Sequence, residues 1–261
     1  MAPKKKADPE TRNVDVIEVA LGRVSIAAVG TMPLICNRMS EKVKGILLVG
    51  SEKKNTAAKA LARGLKHDPM VEFSASPYTM SDENAPTLLA GLSVWFKKSM
   101  MTAALDTPGV KKAQIGRLVR AEGERIAMYG VPNIFLSVTR SADINRTPDV
   151  RTRAILPKWA MFIDFTYDRA FFTEKAIVGL LARAGLFCGV GDWRTEKGSG
   201  NYGSFRLASH DDPELQEIVK AGGRVEQTAA MNNPQPYDDE TESLLTWYRS
   251  EMERRGLKVV A

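Results

Sequence analysis

Four arginines, Arg140, Arg146, Arg151 and Arg153, fall within one short stretch of the chain, and Lys158 and Trp159 follow directly. A guanidinium is planar, weakly hydrated and permanently charged, so it can hydrogen-bond phosphate oxygens and stack on nucleobases. Asp143 and Asp149 lie among these arginines, and a solvated hairpin with internal ion pairs is the alternative use of the same residues. A second stretch, Gly189-Val-Gly-Asp-Trp-Arg-Thr-Glu-Lys-Gly-Ser-Gly-Asn-Tyr-Gly203, combines glycines with Trp193, Arg194, Lys197 and Tyr202. Glycine admits positive φ and lets backbone amides approach an anion, while the aromatic and cationic side chains offer stacking and charge. The spacing matches neither a dinucleotide fingerprint, which needs a helix opening on the third glycine, nor a Gly-Lys-Ser/Thr phosphate loop. A third candidate is Asn37-Arg38, between an expected strand and an expected helix, where free amides favour anions.

Other chemistries find little support. The two histidines, His67 and His210, stand in polar surroundings, with no nucleophile elbow and no His-Glu-x-x-His pair. Asp211-Asp212 and Asp238-Asp239 precede helical segments and suit helix N-termini better than a metal. Cys36 and Cys188 sit in apolar neighbourhoods without zinc or redox spacing, so both are expected as buried reduced thiols in a cytoplasmic protein. No catalytic residue, metal site or cofactor is expected.

The elements that would position these residues follow from periodicity and punctuation. Val14–Val29 reads as the first core strand or pair of strands, stopped by Gly30-Thr-Met-Pro33. Ser40–Leu48 reads as a short helix, and about Ser51–Lys66 as an inserted, solvent-exposed segment that is either helical or mobile. Leu88, Leu92, Trp95, Phe96, Ser99 and Ala103 recur at helical spacing, which predicts a helix over Leu92–Leu105 ending near Pro108-Gly109. Ile134–Thr139 and Trp159–Tyr167 are β-like. Thr173 caps a helix that ends at Gly185; strands follow at Leu186–Val190 and Ser204–Ala208. Beyond His210 the chain is polar, with a helix start at Asp212-Pro213 and a last helix over about Asp239–Arg255.

A chain of 261 residues with 44% hydrophobic and 26% charged residues is an ordinary globular composition, and no apolar run approaches a membrane span. The formal net charge of +6 suits a phosphate-backbone partner without requiring one. The expected organisation is α+β: a flexible basic arm over 1–13, a ferredoxin-like (RRM-like) antiparallel sheet core over 14–210 with an insertion near 50–85, and a C-terminal helical extension over 211–261.

Three features resemble the RAMP superfamily, the ferredoxin-like RNA-binding proteins of CRISPR effector backbones. They are an N-terminal strand ending in Gly30-Thr-Met-Pro-Leu34, a Pro86…Ser93-Val-Trp-Phe-Lys97 segment opening a helix, and a glycine-rich loop before the last core strand. The phrases Arg-Thr-Pro-Asp-Val-Arg and Gly-Val-Gly-Asp-Trp-Arg are also similar to small bacteriophage proteins. The residues and the resemblance together lead to the expectation of a protein that coats single-stranded RNA or DNA, without catalysis, as a homo-oligomer or within a multi-subunit complex. Arg38, Arg140, Arg146, Arg151, Arg153, Lys158, Arg194 and Lys197 would meet phosphates, and Trp193 and Tyr202 would stack on bases. The competing expectation is a structural assembly protein whose basic hairpin and glycine loop contact neighbouring subunits.

Overall fold

The alternation around Arg23–Val29 becomes strand β1 (Leu21–Gly30), which sends Ile26 and Ala28 into the main core and Ala27 and Val29 into a smaller one on the opposite face. The computed structural model describes residues 19–38, 67–140, 148–197 and 200–256, with the Arg140 side chain excepted. The basic arm, the Ser40–Leu48 helix and the Ser51–Lys66 segment lie outside the described residues, as does Arg146.

The chain is α+β. Strands β2 (Leu34–Ile35), β3 (Tyr78–Thr79), β4 (Leu89–Leu92), β5 (Val119–Ala121), β6 (Arg125–Tyr129), β7 (Asn133–Arg140), β8 (Pro148–Leu156), β9 (Ala160–Asp168) and β10 (Phe205–Ala208) join β1 in two antiparallel arrangements. The larger sheet runs β10-β1-β9-β6-β4-β3, with β5 also paired to β9; the smaller runs β2-β8-β7. Helices α1 (Pro69–Ala75), α2 (Ser93–Ala103), α3 (Lys112–Leu118) and α4 (Glu174–Phe187) contribute Phe73, Phe96, Met100, Ile115, Ile177 and Leu181 to the main core. Helices α5 (Pro213–Ala221), α6 (Arg224–Asn232) and α7 (Asp239–Arg254) form the helical tail. Among the described residues no helix is long and apolar enough to cross a membrane.

Two expected boundaries move, each for a steric reason. The helical block expected from Leu92 does open α2 at Ser93, but Leu89–Leu92 before it is a strand. Gly91 there lies so close to Met161 of β9 that a Cβ would come within 2.3 Å of its sulfur. Likewise α4, capped by Thr173 as expected, does not stop at Gly185 but runs to Phe187, so the strand expected at Leu186–Val190 is absent. Gly185 is there for close approach: a Cβ would stand 2.3 Å from the Phe205 carbonyl oxygen. The helix closes instead on Cys188 and Gly189, whose amides both bond the Ala184 carbonyl at 2.9 Å, with Gly189 at φ +70°.

The described part of the 50–85 stretch is built into the fold. Asp68 caps α1 by accepting from the Met70 and Val71 amides, Phe73 is fully buried, and β3 pairs with β4. The tail is equally integrated through Gln227, which is fully buried. Its Oε1 accepts from the Leu88 and Leu89 amides at 2.8 and 2.9 Å. Its Nε2 lies 2.7–3.0 Å from the carbonyl oxygens of Met128, Gly130 and Gly222. One side chain of α6 thereby supplies partners to backbone groups at the ends of β4 and β6.

Candidate nucleic-acid interface

Strand β8 alternates. Thr152, Ala154 and Leu156 turn inward, the last two into the main core, whereas Arg151, Arg153 and Ile155 share the outer face. Across the hairpin, β7 places Phe135 opposite Arg153 and Ser137 opposite Arg151. On this outer face Ile35, Phe135 and Ile155 form an apolar cluster covered by Trp193, Tyr202 and Tyr237. The Phe135 ring centroid is 6.4 Å from that of Trp193, 6.3 Å from Tyr202 and 5.5 Å from Tyr237.

The glycine loop reaches this face because Asp192 bridges Ile35, its amide bonding the Ile35 carbonyl at 3.1 Å. The arginine hairpin and the glycine loop, distant in sequence, therefore meet. The Arg153 guanidinium carbon lies 5.1 Å from the Trp193 ring centroid, and Arg153 Nη1 is 2.8 Å from Asp192 Oδ2. The same oxygen accepts from Asn37 Nδ2 at 3.1 Å. Arg153 is only 4% exposed. The contact to Asp192 is a charge contact rather than an aligned hydrogen bond, so Nη1 is a buried donor without an aligned acceptor among the described residues. Burial lowers the proton affinity of the guanidinium below the ordinary arginine range; Asp192 opposes this shift and the neighbouring Arg151 adds to it.

Trp193 carries a backbone cost. Its φ of +49° makes it the one non-glycine residue in the left-handed region among the described residues. Gly200 is what lets the loop close over it, since a Cβ at that position would fall 1.6 Å from the Trp193 carbonyl oxygen. Arg194 also turns inward, its Nε 3.0 Å from Glu196 Oε2 and its Nη1 donating to the Gly191 carbonyl at 2.9 Å.

The structure thus brings Arg153, Trp193 and Tyr202 together, with Arg151 on the same strand face and Arg194 and Lys197 in the same loop. Arg151 and Lys197 are exposed; Arg153 and Arg194, expected to meet phosphates, are engaged with Asp192 and Glu196 instead. Arg38 is half-buried, and its amide donates to the Ser76 carbonyl. Lys158 stands apart in the turn between β8 and β9, its Nζ 3.5 Å from Glu217 of α5. The backbone of Arg140 ends β7. Sequence reasoning missed Phe135, Asp192 and Tyr237 as members of this cluster. For Phe135 the signal was register, since the β7-β8 hairpin sets it opposite Arg153; Asp192 and Tyr237 reach the cluster only through the loop and the tail.

No family model matches the chain, and no curated protein does. Among solved structures it is similar to Cmr6 from Pyrococcus furiosus, at 14% identity and a TM-score of 0.32, covering 73% of this chain and all of that one.

Proposed function

We propose that the chain binds single-stranded nucleic acid without catalysis, on the outer face of the β2-β8-β7 sheet. The observation that carries the reading is the stack of the hairpin's Arg153 on the loop's Trp193, which fixes a partly exposed indole beside Tyr202. Trp193 and Tyr202 stack on bases. Arg151 and Lys197, with Arg38, Arg140 and Arg146, neutralise phosphates. Arg153 and Arg194 position the loop, and Lys158 takes no part. The order β10-β1-β9-β6, with α2 and α4 on one face, supports a ferredoxin-like core as the frame.

Fluorescence anisotropy with labelled single-stranded oligonucleotides at several salt concentrations tests this. Unchanged affinity and salt slope in an Arg151→Ala, Lys197→Ala double variant would overturn the assignment. The exposed Leu105, Leu186 and Phe187 favour a second reading, a subunit contact in an assembly. Particle size that persists after nuclease treatment would favour that reading.

A further inference from the structure

The larger sheet has a face that α2 and α4 do not cover. At one end α5 packs on it through Leu215 and Ile218. Among the described residues the other end holds a pocket of about 400 Å³ lined by residues of β1, β5 and β9 and the adjoining Glu122.

Register orders this pocket into rows. Arg23, Thr166 and Arg120 lie side by side across β1, β9 and β5. Ser25 and Asp164 form the next row, and Glu122 joins them through its amide, which donates to the Asp164 carbonyl at 2.8 Å. The row beyond carries Phe162, stacked by the His210 ring at 5.8 Å and 11°.

Arg120 is spent on Glu122, with Nε and Nη2 3.1 and 3.0 Å from Oε1. The side chains of Arg23, Ser25 and Asp164 have no hydrogen-bond or ion-pair partner among the described residues. Thr166 is 93% buried, yet its Oγ1 lacks an aligned partner. It stands near enough to Glu122 to be the first influence, before Arg120, holding that carboxyl below the usual range. A buried hydroxyl without an aligned bond, opening on a pocket, is a group that a ligand can satisfy.

The charges restrict the ligand. Two arginines against two carboxylates give no net attraction for a bare polyphosphate. What remains without a hydrogen bond is a cation, Arg23, whose charge also acts on Glu122, and a carboxylate, Asp164, whose oxygens accept hydrogen bonds. A ligand must therefore present an anion at one end and adjacent donors at the other. Among nucleotides, guanine has two neighbouring donors, its ring N–H and its amino group. Adenine and cytosine set an acceptor beside their amino group, and uracil flanks its N–H with two acceptors. Arg23 and Asp164 are diagonal neighbours, about 7–8 Å apart along the sheet, a separation that a base edge and its own phosphate span.

We propose that this pocket seats one guanine nucleotide, its donor edge on Asp164 and its phosphate on Arg23, with Ser25 and Thr166 bonding the atoms between. The inference gives the proposed single-strand binding a base preference and rests on that reading for its natural ligand.

The test titrates the four nucleoside 5′-monophosphates and inosine monophosphate into the full chain and follows the amide resonances of Ser25, Asp164 and Thr166. Guanosine monophosphate should bind about tenfold more tightly than the other three, as a bidentate pair discriminates. Inosine monophosphate, lacking the amino group, should fall between. Asp164→Asn should remove the preference, and Arg23→Ala should weaken all five nucleotides alike. Equal binding of all five, or a guanine preference that survives Asp164→Asn, overturns the proposal. The two readings fail separately: guanosine monophosphate bound by a chain that takes no oligonucleotide spares the pocket and removes strand binding, whereas oligonucleotide binding that needs Trp193 but ignores guanine does the reverse.

Discussion

Phe135 and Arg153 are direct cross-strand partners, so ring and guanidinium leave the hairpin on the same side and Trp193 packs against both. Removing the guanidinium would strand Asp192 and open the floor under the indole. Arg153→Ala should cost about 2–4 kcal/mol, toward the lower end because Asp192 keeps some solvent contact. Arg153→Lys keeps the charge but not the planar stack and should still lose about 1 kcal/mol. Urea denaturation of the two variants checks the order.

Single-strand affinity should fall by about 1–3 kcal/mol in Trp193→Ala and again in Tyr202→Ala, if each ring stacks on a base. Arg151→Ala and Lys197→Ala should each reduce the salt slope by roughly 0.7. Lys158→Ala, held against Glu217, should leave both quantities unchanged. Anisotropy at several salt concentrations separates the three classes.

Gln227→Ala should be among the most damaging substitutions outside the apolar core. It leaves the Leu88 and Leu89 amides and the Met128 and Gly130 carbonyls without this partner, at about 3 kcal/mol or more. Gln227→Glu keeps the acceptor but loses the donors and places a charge in a buried site, so it should be no better. Hydrogen exchange at residues 88 and 89 reports the lesion directly.

Acid should weaken the fold through two surface carboxyls. Asp212 is held at about 2, from an ordinary 3.8, first by the Arg206 guanidinium and then by the Leu215 amide. Glu251 is held at about 2, from 4.5, by Arg254 and Arg255. Both folded values are depressed, so their contribution is complete above the ordinary values and is lost as pH falls from about 4.5 toward 2. Asp212→Asn should flatten that part of a stability profile measured by urea denaturation at successive pH values.

Both cysteines should be silent in the native protein. Burial pushes the Cys36 thiol up to about 12 and, as the leading cause, raises that of Cys188. A thiol reagent at pH 8 should find neither in the folded chain and both in denaturant.

How much of this could be read in advance depends on whether the deciding contact is local. Strand β1, the α4 cap at Thr173 and the final helix are set by their own periodicity and capping residues, and they stand where the sequence places them. Strand β8 was legible only as one arm of an arginine hairpin, since Arg151 and Arg153 masked the inward alternation of Thr152, Ala154 and Leu156. The helix start near Leu92 was legible, but the strand Leu89–Leu92 before it was not, because its pairing with β6 lies beyond any local window. The α+β class was legible; the hairpin and the loop were recognised separately, but Arg153 as an internal member of their junction was not. The sheet-face pocket was invisible, since Arg23, Arg120 and Asp164 become neighbours only through register.

Because the amide of residue 227 completes hydrogen bonds begun near residues 88 and 128, the sheet cannot reach its final state on a ribosome until most of the chain has emerged. Until then the Leu88 and Leu89 amides and the Met128 and Gly130 carbonyls would lack this partner, leaving polar backbone at one end of the β4-β6 ladder to water.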